Sequence, residues 1–159
     1  MKMNNVDLIA LGPGTHMNWL LGFNPFPDER PCMLLIGKEK EAFLMPSVNA
    51  EDAKKRTDIA INSWKDENGP DQALKEALLY IGESSAKHIA IDEAMRSHFA
   101  LIVIEALPNP TYEFTASTIG ALRMRKDQTE FINLKENALI DDRAMQAGFA
   151  AIKEGVTEL

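Results

Sequence analysis

The chain has 159 residues, of which 45% are hydrophobic and 26% charged, and its formal net charge is −7 at pH 7. This balance is typical of a globular protein with a buried core, and the acidic excess argues against nucleic acid, since phosphate binding requires clustered lysine and arginine. No apolar run is long enough to span a membrane and no signal-peptide layout is present, so we expect a cytoplasmic protein that binds neither nucleic acid nor membrane.

Short apolar runs bounded by turn-forming residues predict six β-strands, at 7–11, 33–37, 42–45, 59–62, 88–92 and 111–114. The charged residues 38–40 predict a hairpin turn between the second and third strands. Helical segments are predicted at 50–56, 70–80 and 93–107. Strands come first and alternate with helices afterwards, a pattern that predicts an α/β fold with three layers. The middle layer would be a mixed sheet of about six strands flanked by helices.

The C-terminal segment 127–154 predicts a long amphipathic helix. Its apolar residues recur at helical spacing and are Phe131, Leu134, Ala138, Met145, Phe149 and Ile152. Asp127 followed by Glu130 predicts a capping box at the start of the helix, and Gly155 is the expected C-cap. Because such an apolar stripe must be buried, we expect its partner to be protein that follows Leu159. The chain is therefore expected to be a deliberately shortened piece, and a natural end after Leu159 is the alternative.

The spacing of the histidine and aspartate residues predicts no metal site. The histidines, His16, His88 and His98, lack the i, i+4 pattern of a helical zinc site. Asp141 and Asp142 are adjacent on a helix, so their side chains diverge. From these residues we expect the chain to hold no metal of its own.

Two further features have plain structural interpretations. The run Gly12-Pro13-Gly14 after the first strand predicts a tight turn, because Met17 stands where a dinucleotide-binding loop has its third glycine. A nucleotide-binding domain is the weakest alternative for the chain. Cys32 lies in an apolar run, so we expect a buried thiol without a disulfide partner, as in a reducing compartment.

Two groups of residues carry a resemblance to a known family. The C-terminal group is Leu122-Arg123, Lys126, Glu130, Ala138 and Gly155-Val156-Thr157-Glu158. The N-terminal group is the strand residues 6–11, the run Asn18-Trp19-Leu20-Leu21-Gly22-Phe23, and Glu29-Arg30-Pro31 before the apolar run 32–36. In this order they resemble the creatinase, prolidase and X-Pro aminopeptidase family of "pita-bread" metallopeptidases. Departures are Phe131 for the usual isoleucine, Asp127 for a common serine, and Leu21 for a small polar residue.

The resemblance implies a ribonuclease-H-like creatinase N-terminal domain over residues 1–120. Residues 121–159 would be the junction and the first helix of a pita-bread catalytic domain that the chain lacks. In that domain the family holds two divalent metal ions (Mn, Co or Zn) with two Asp, one His and two Glu. The chain by itself is therefore expected to contain no catalytic residue and no metal ligand, and to be inactive.

The function implied is that of a non-catalytic N-terminal domain of a metal-dependent hydrolase, of the X-Pro aminopeptidase, dipeptidase or creatinase type. It would shape the substrate entrance and mediate dimerisation. The expected partners are the protein's own catalytic domain, a second copy, and proline-containing peptides. The alternative is a stand-alone oligomerisation or ligand-binding module without peptidase activity.

Arg30 and His16 are the candidates for substrate contact. In several dimeric relatives an arginine near this position touches the carboxyl end of the substrate, and a guanidinium can clamp a carboxylate with two parallel bonds. An ion pair of Arg30 with Asp28 or Glu29 is an equal alternative. For His16, which could face a neighbouring active site, the alternative is a surface or capping histidine.

Aromatic residues supply the candidate interface. They are Trp19, Phe23 and Phe26, in a stiff loop with two prolines, and Phe131 and Phe149 on the C-terminal helix. Aromatic side chains on a loop often mark an interface. Packing of the loop onto the core of its own domain is the alternative.

Overall fold

A mixed β-sheet forms the centre of the protein in the computed structural model, which describes Met1 and residues 4–157. Within this range the sheet has six strands: β1 Leu8–Leu11, β2 Met33–Ile36, β3 Glu41–Pro46, β4 Ala60–Trp64, β5 His88–Ile91 and β6 Thr111–Phe114. Their order is β4-β3-β2-β1-β5-β6. The strand β2 runs antiparallel to both of its neighbours, and the other neighbouring pairs are parallel. The six predicted strands are confirmed, with small shifts at their ends.

Helices cover both faces of this sheet. They are α1 Thr15–Leu21, α2 Ser47–Ala53, α3 Asp71–Ile81, α4 Ser97–Glu105 and α5 Ile119–Met124. Alternation along β1 directs Leu8 and Ala10 into the core beneath α3 and α4, and Ile9 and Leu11 into a second core on the other face. That second core includes Met17 of α1 and the alanines of α2. The three-layer α/β prediction is confirmed.

Two predicted helices have the wrong bounds. The helix expected at 93–107 begins only at Ser97, because the residues after β5 form a turn in which the Ala94 amide donates to Asp92 Oδ1 at 2.9 Å. Asp92 thereby offers the backbone an alternative to the helix. The helix expected at 50–56 begins earlier, at Ser47, directly after the extended Pro46 that ends β3. The predicted hairpin turn is present, with the Gly37 amide 2.8 Å from the Lys40 carbonyl oxygen.

The chain divides into two compact units, Met1–Leu122 and Arg123–Leu159. In the second unit, α6 spans Gln128–Ala151, so the predicted long C-terminal helix is confirmed. Its capping box is also present: the Glu130 amide donates to Asp127 Oδ1 at 2.8 Å, and the Asp127 amide donates to Glu130 Oε2 at 3.0 Å. Glu158, the last residue of the predicted junction motif, lies outside the described residues.

The predicted C-cap of this helix is wrong. Ile152 is the C-cap, with φ −71° and ψ 113°, and Gly155 belongs to a following turn, where its φ of 85° places it in the left-handed region. The apolar residues also extend beyond one stripe. Ile140 follows Phe131 by nine positions, which at about 100° per residue is half a turn away on the opposite side of α6, and both side chains are exposed. None of the helices in the described part of the chain has the length and apolar character needed to cross a membrane.

Candidate functional site

Polar side chains meet at one edge of the sheet, where three parallel strands end. β1, β5 and β6 are neighbours running in the same direction. Asp92 and Glu93 come directly after β5, Thr115 comes directly after β6, and His16 lies in the first turn of α1 just beyond β1. The carboxyl ends of parallel strands are where α/β sheets bind ligands. We call His16, Asp92, Glu93 and Thr115 the edge cluster.

The loop after β1 is held close to the loop after β5. A Cβ atom on Gly12 would lie 2.9 Å from Met95 Cγ, so a glycine is needed for this approach. The Asp92 amide also donates to the Ala10 carbonyl oxygen at 2.9 Å. This packing accounts for Gly12 as part of a tight turn and carries His16 to the residues that follow β5.

Hydrogen bonds connect three members of the edge cluster. His16 Nε2 lies 3.3 Å from Glu93 Oε1 and 3.3 Å from Thr115 Oγ1, and the Thr115 hydroxyl donates to Glu93 Oε2 at 2.6 Å. The His16 side chain is 6% exposed, whereas that of Glu93 is 45% exposed. The cluster is therefore buried on the histidine side and open to solvent on the Glu93 side. The surface alternative for His16 is wrong for this reason.

The two carboxyl groups of the cluster have opposite electrostatic environments. Burial raises the pKa of Asp92, against the lowering effects of the Ala94 amide and of His16. Burial works against the Glu93 carboxylate as well, but hydrogen bonds from Thr115, its own amide and His16 together lower the pKa of Glu93. Glu93 is therefore a stable carboxylate next to a buried one. His16, Asp92 and Glu93 offer ligand atoms that all lie within 4.8 Å of one another.

Arg30 lies apart from this cluster and binds an aspartate that the sequence did not indicate. Its Nε and Nη2 donate to Asp66 Oδ1 and Oδ2 at 3.1 and 3.2 Å, a bidentate pair. Its Nη1 is 3.7 Å from Asp28 Oδ2, so the predicted ion pair with Asp28 is present. The Arg30 guanidinium therefore holds a carboxylate of its own chain in fork geometry.

The aromatic loop after α1 is divided between core and surface. Phe23 is buried and its ring lies 6.2 Å from that of Phe43 in the second core, so for Phe23 the alternative of core packing holds. Trp19 is 40% exposed and Phe26 is 78% exposed. Phe26 lines an open cleft of about 200 Å³ together with Val48 of α2. In the second unit, Phe131 and Phe149 are both exposed.

Comparison with known proteins identifies the family. Residues 1–125 match the description "Creatinase/Prolidase N-terminal domain". The chain belongs to this family. The resemblance read from the sequence is therefore confirmed, and the family match contains the whole sheet, the edge cluster and Arg30.

Relatives of this family member are dipeptidases. A Xaa-Pro dipeptidase of Lactobacillus delbrueckii subsp. lactis is 26% identical over 171 residues, covering 99% of this chain but 44% of that protein. The crystal structure of a dipeptidase from Pyrococcus horikoshii OT3 superimposes with a TM-score of 0.81 at 25% identity, over 96% of this chain and 42% of the other. The chain thus spans less than half the length of the curated relatives it matches.

An isolated domain has the same fold. The N-terminal domain of a Xaa-Pro dipeptidase from Lactobacillus brevis matches with a TM-score of 0.66 at 15% identity, over 76% of this chain and 92% of that domain. At this identity the likeness concerns the fold alone.

Four residues that the structure places next to Arg30 or within the edge cluster were not predicted from the sequence. They are Asp66 beside Arg30, and Asp92, Glu93 and Thr115 in the edge cluster. Asp66 and Arg30 are 36 positions apart, and His16 and Glu93 are 77 apart, so no local pattern joins them. The detectable signal was topological: polar residues stand directly after the ends of strands that prove to be parallel neighbours.

Proposed function

We propose that this chain is the N-terminal, non-catalytic part of a metal-dependent Xaa-Pro dipeptidase or aminopeptidase that shapes the substrate entrance and mediates dimerisation. The observation that carries the proposal is the family match over residues 1–125, together with Xaa-Pro dipeptidase relatives of which the chain spans 44%. The remaining length of such a relative is enough for a separate catalytic domain. A cytoplasmic location, supported by the single buried Cys32, belongs to the same proposal.

The chain's own residues do not fit the metal centre that the family resemblance implies. That centre requires two Asp, one His and two Glu, and the edge cluster offers one of each residue type. We therefore derive no hydrolytic step from this chain. Its proposed contribution is binding and positioning at the mouth of an active site built elsewhere.

Arg30 is the proposed contact for the carboxyl end of the substrate. Its guanidinium already holds the Asp66 carboxylate in a bidentate pair, and the Arg30 side chain is 36% exposed. A substrate carboxylate could replace Asp66 without a change in the geometry of the fork. His16 is the less supported of the two candidates, because its side chain is 6% exposed.

The activity is tested with the protein encoded when the reading frame is extended past Leu159. With added Mn²⁺, the extended protein should release proline from a dipeptide such as Ala-Pro, and the 159-residue chain should not. An extended protein that binds metal at a second domain but cleaves no Xaa-Pro peptide would refute the proposed function.

The role of Arg30 is tested in the same extended enzyme by comparing two variants. Arg30→Ala should raise KM about tenfold or more with a smaller change in kcat, since one charged contact contributes roughly 1.5–3 kcal/mol. Asp66→Asn removes the intramolecular partner and leaves the guanidinium, so KM should stay constant or fall. If both variants change KM and kcat equally, Arg30 has only a structural role. Arg56→Ala, which breaks a surface pair with Asp52 on α2, is the matched control.

Dimerisation is supported by the exposed aromatic side chains. Phe26 is 78% exposed beside an open cleft, and aromatic side chains are enriched at protein interfaces. In sedimentation velocity the 159-residue chain should self-associate, and Phe26→Ser should weaken association at least about tenfold. Leu101→Ser, at an apolar site on α4 that is 53% exposed and lies at the other face of the sheet, is the control. A chain that stays monomeric at all concentrations contradicts the dimer.

A stand-alone oligomerisation module is the second candidate function. It is favoured by the exposed apolar residues on opposite sides of α6, such as Phe149 and Ile140. It predicts that Phe149→Ser abolishes self-association of the 159-residue chain, and that no Xaa-Pro peptidase activity accompanies any extended form. Peptidase activity of the extended protein would decide against it.

A further inference from the structure

We propose that the edge cluster is a mononuclear site for a divalent transition-metal ion, with His16, Asp92 and Glu93 as ligands and Zn²⁺ as the ion that fits them. This inference is independent of the two-metal catalytic centre considered above. It depends on the juxtaposition of three side chains from two distant parts of the sequence.

The ligand set has the chemistry of a zinc site. One imidazole nitrogen and two carboxylate oxygens provide three protein ligands, and zinc sites with three protein ligands keep a fourth position for water. Imidazole with carboxylate selects transition ions, whereas Ca²⁺ and Mg²⁺ prefer oxygen ligands throughout. His16 Nε2 is the ring nitrogen that lies 3.3 Å from Glu93 Oε1, and it would coordinate the ion in the tautomer that leaves Nε2 unprotonated.

The distances suit a tetrahedral ion. Two ligand atoms bound at about 2.0–2.1 Å in tetrahedral geometry are separated by roughly 3.3–3.4 Å. His16 Nε2 and Glu93 Oε1 are 3.3 Å apart, and all three ligand atoms lie within 4.8 Å of one another.

Neighbouring groups already orient these ligands. The Thr115 hydroxyl donates to Glu93 Oε2 at 2.6 Å, and Glu93 Oε1, which faces His16 Nε2 at 3.3 Å, is the oxygen that an ion would take. The Ala94 amide donates to Asp92 Oδ1 at 2.9 Å and fixes that carboxyl group. Outer contacts of this kind set the direction of metal ligands and are part of functional metal sites.

Charge gives an independent reason for a cation. Asp92 is 3% exposed, and Glu93 lies next to it in sequence and in space. Glu93 forms an ion pair with His16. Among Met1 and residues 4–157, neither carboxylate is paired with a lysine or an arginine. A buried carboxylate is costly without a compensating charge. A divalent ion would neutralise both carboxylates and could enter through the exposed Glu93 side.

The test is calorimetric titration of the chelator-treated 159-residue chain with ZnCl₂. We expect one ion to bind per chain. Glu93→Gln keeps the shape and the solvent-exposed position of the ligand, and should weaken Zn²⁺ binding at least about tenfold. Circular dichroism should show that this variant retains the fold.

The matched control is Glu113→Gln. Glu113 Oε2 lies 3.8 Å from His88 Nε2, so it is a second histidine–glutamate pair without a neighbouring aspartate in the cluster. This variant should bind Zn²⁺ like the wild type. Equal affinities of the wild type, Glu93→Gln and Glu113→Gln would overturn the proposal, as would absence of Zn²⁺ binding. Equal binding of Ca²⁺ or Mg²⁺ would overturn the assignment to a transition ion.

Co²⁺ substitution provides a second readout that does not depend on a variant's stability. Co²⁺ bound by one nitrogen and two carboxylates in a four-coordinate site should give strong visible absorption, which added Zn²⁺ should remove. A spectrum identical to that of hydrated Co²⁺ would contradict a tetrahedral site.

Discussion

Replacing Asp7 with asparagine is expected to destabilise the first unit at neutral pH and to have little effect in strong acid. The Asp7 carboxylate lies just before β1 and ties together three distant segments. It accepts a hydrogen bond from Lys38 Nζ at 2.5 Å, and others from the amides of Lys87 and His88 at 2.9 and 3.1 Å. These contacts, the Lys38 bond first and the Lys87 amide second, lower the pKa of Asp7 from 3.8 to about 2.

The magnitude follows from that shift. A fall from 3.8 to about 2, at 1.36 kcal/mol per pKa unit, corresponds to about 2.4 kcal/mol in favour of the folded state when Asp7 is ionised. Because the Asp7 side chain is 21% exposed and that of Lys38 is 46% exposed, solvent screening reduces the contribution to about 1–2 kcal/mol. A lowered folded-state pKa stabilises above the unfolded value of 3.8, and this stability is lost as the pH falls through about 2.

Urea unfolding followed by tryptophan fluorescence is the assay, because Trp64 is buried in the first unit. Asp7→Asn should lower the unfolding free energy by about 1–2 kcal/mol at pH 7, and the difference from wild type should shrink towards pH 2. Asp58→Asn is the control, since Asp58 is exposed and makes no ion pair among the described residues. Equal destabilisation at pH 7 and near pH 2 would refute the electrostatic reasoning. An unchanged unfolding free energy at pH 7 would show that the hydrogen bonds of Asp7 do not stabilise the fold.

Three further predictions concern packing, capping and reactivity. Phe43→Ala, at a fully buried site, should lower the free energy of unfolding in urea by about 3–5 kcal/mol. Phe26→Ala, at an exposed site, should change it by less than about 0.5 kcal/mol. Similar losses for the two variants would contradict the burial of Phe43. Asp127→Ala removes the capping box and should cost about 1 kcal/mol of local helix stability. Amide hydrogen exchange in the first turn of α6 should therefore become faster. Asp142→Ala is the control and should leave this exchange unchanged. Burial raises the pKa of Cys32 to about 12, so the thiol should react with a disulfide reagent at pH 8 only after unfolding; reaction at the unfolded rate in the native chain would show that it is accessible.

Local chemistry explains which features were predictable. The strand at 111–114 and the capping box at Asp127 are each specified by a few consecutive residues, and both are present as predicted. Helix bounds depend on competition between local structures and were less predictable. Asp92 accepts the Ala94 amide and delays α4 until Ser97, and a turn rather than a cap uses the left-handed Gly155.

In the candidate site, too, some residues could be predicted from the sequence and others could not. Arg30 and His16 could be selected from sequence because the residue types and the family resemblance indicate them. Their partners could not be selected, because Asp66, Glu93 and Thr115 are brought near them only by chain folding. The exposure that makes Phe26 a candidate interface residue and Phe23 a core residue is likewise invisible in a run where both are aromatic.

The sequence by itself determined the six strands, the long C-terminal helix with its capping box, and the family. Periodicity, turn residues and ordered motifs are signals carried by short stretches of sequence and can be recognised without the fold. Tertiary structure alone decided which polar residues lie next to one another. Parallel pairing of β1 with β5 and of β5 with β6 brings His16, Glu93 and Thr115 to one edge of the sheet, although 99 positions separate the first from the last. Strand order and direction fix such distances, and neither is encoded in the spacing of the residues that meet.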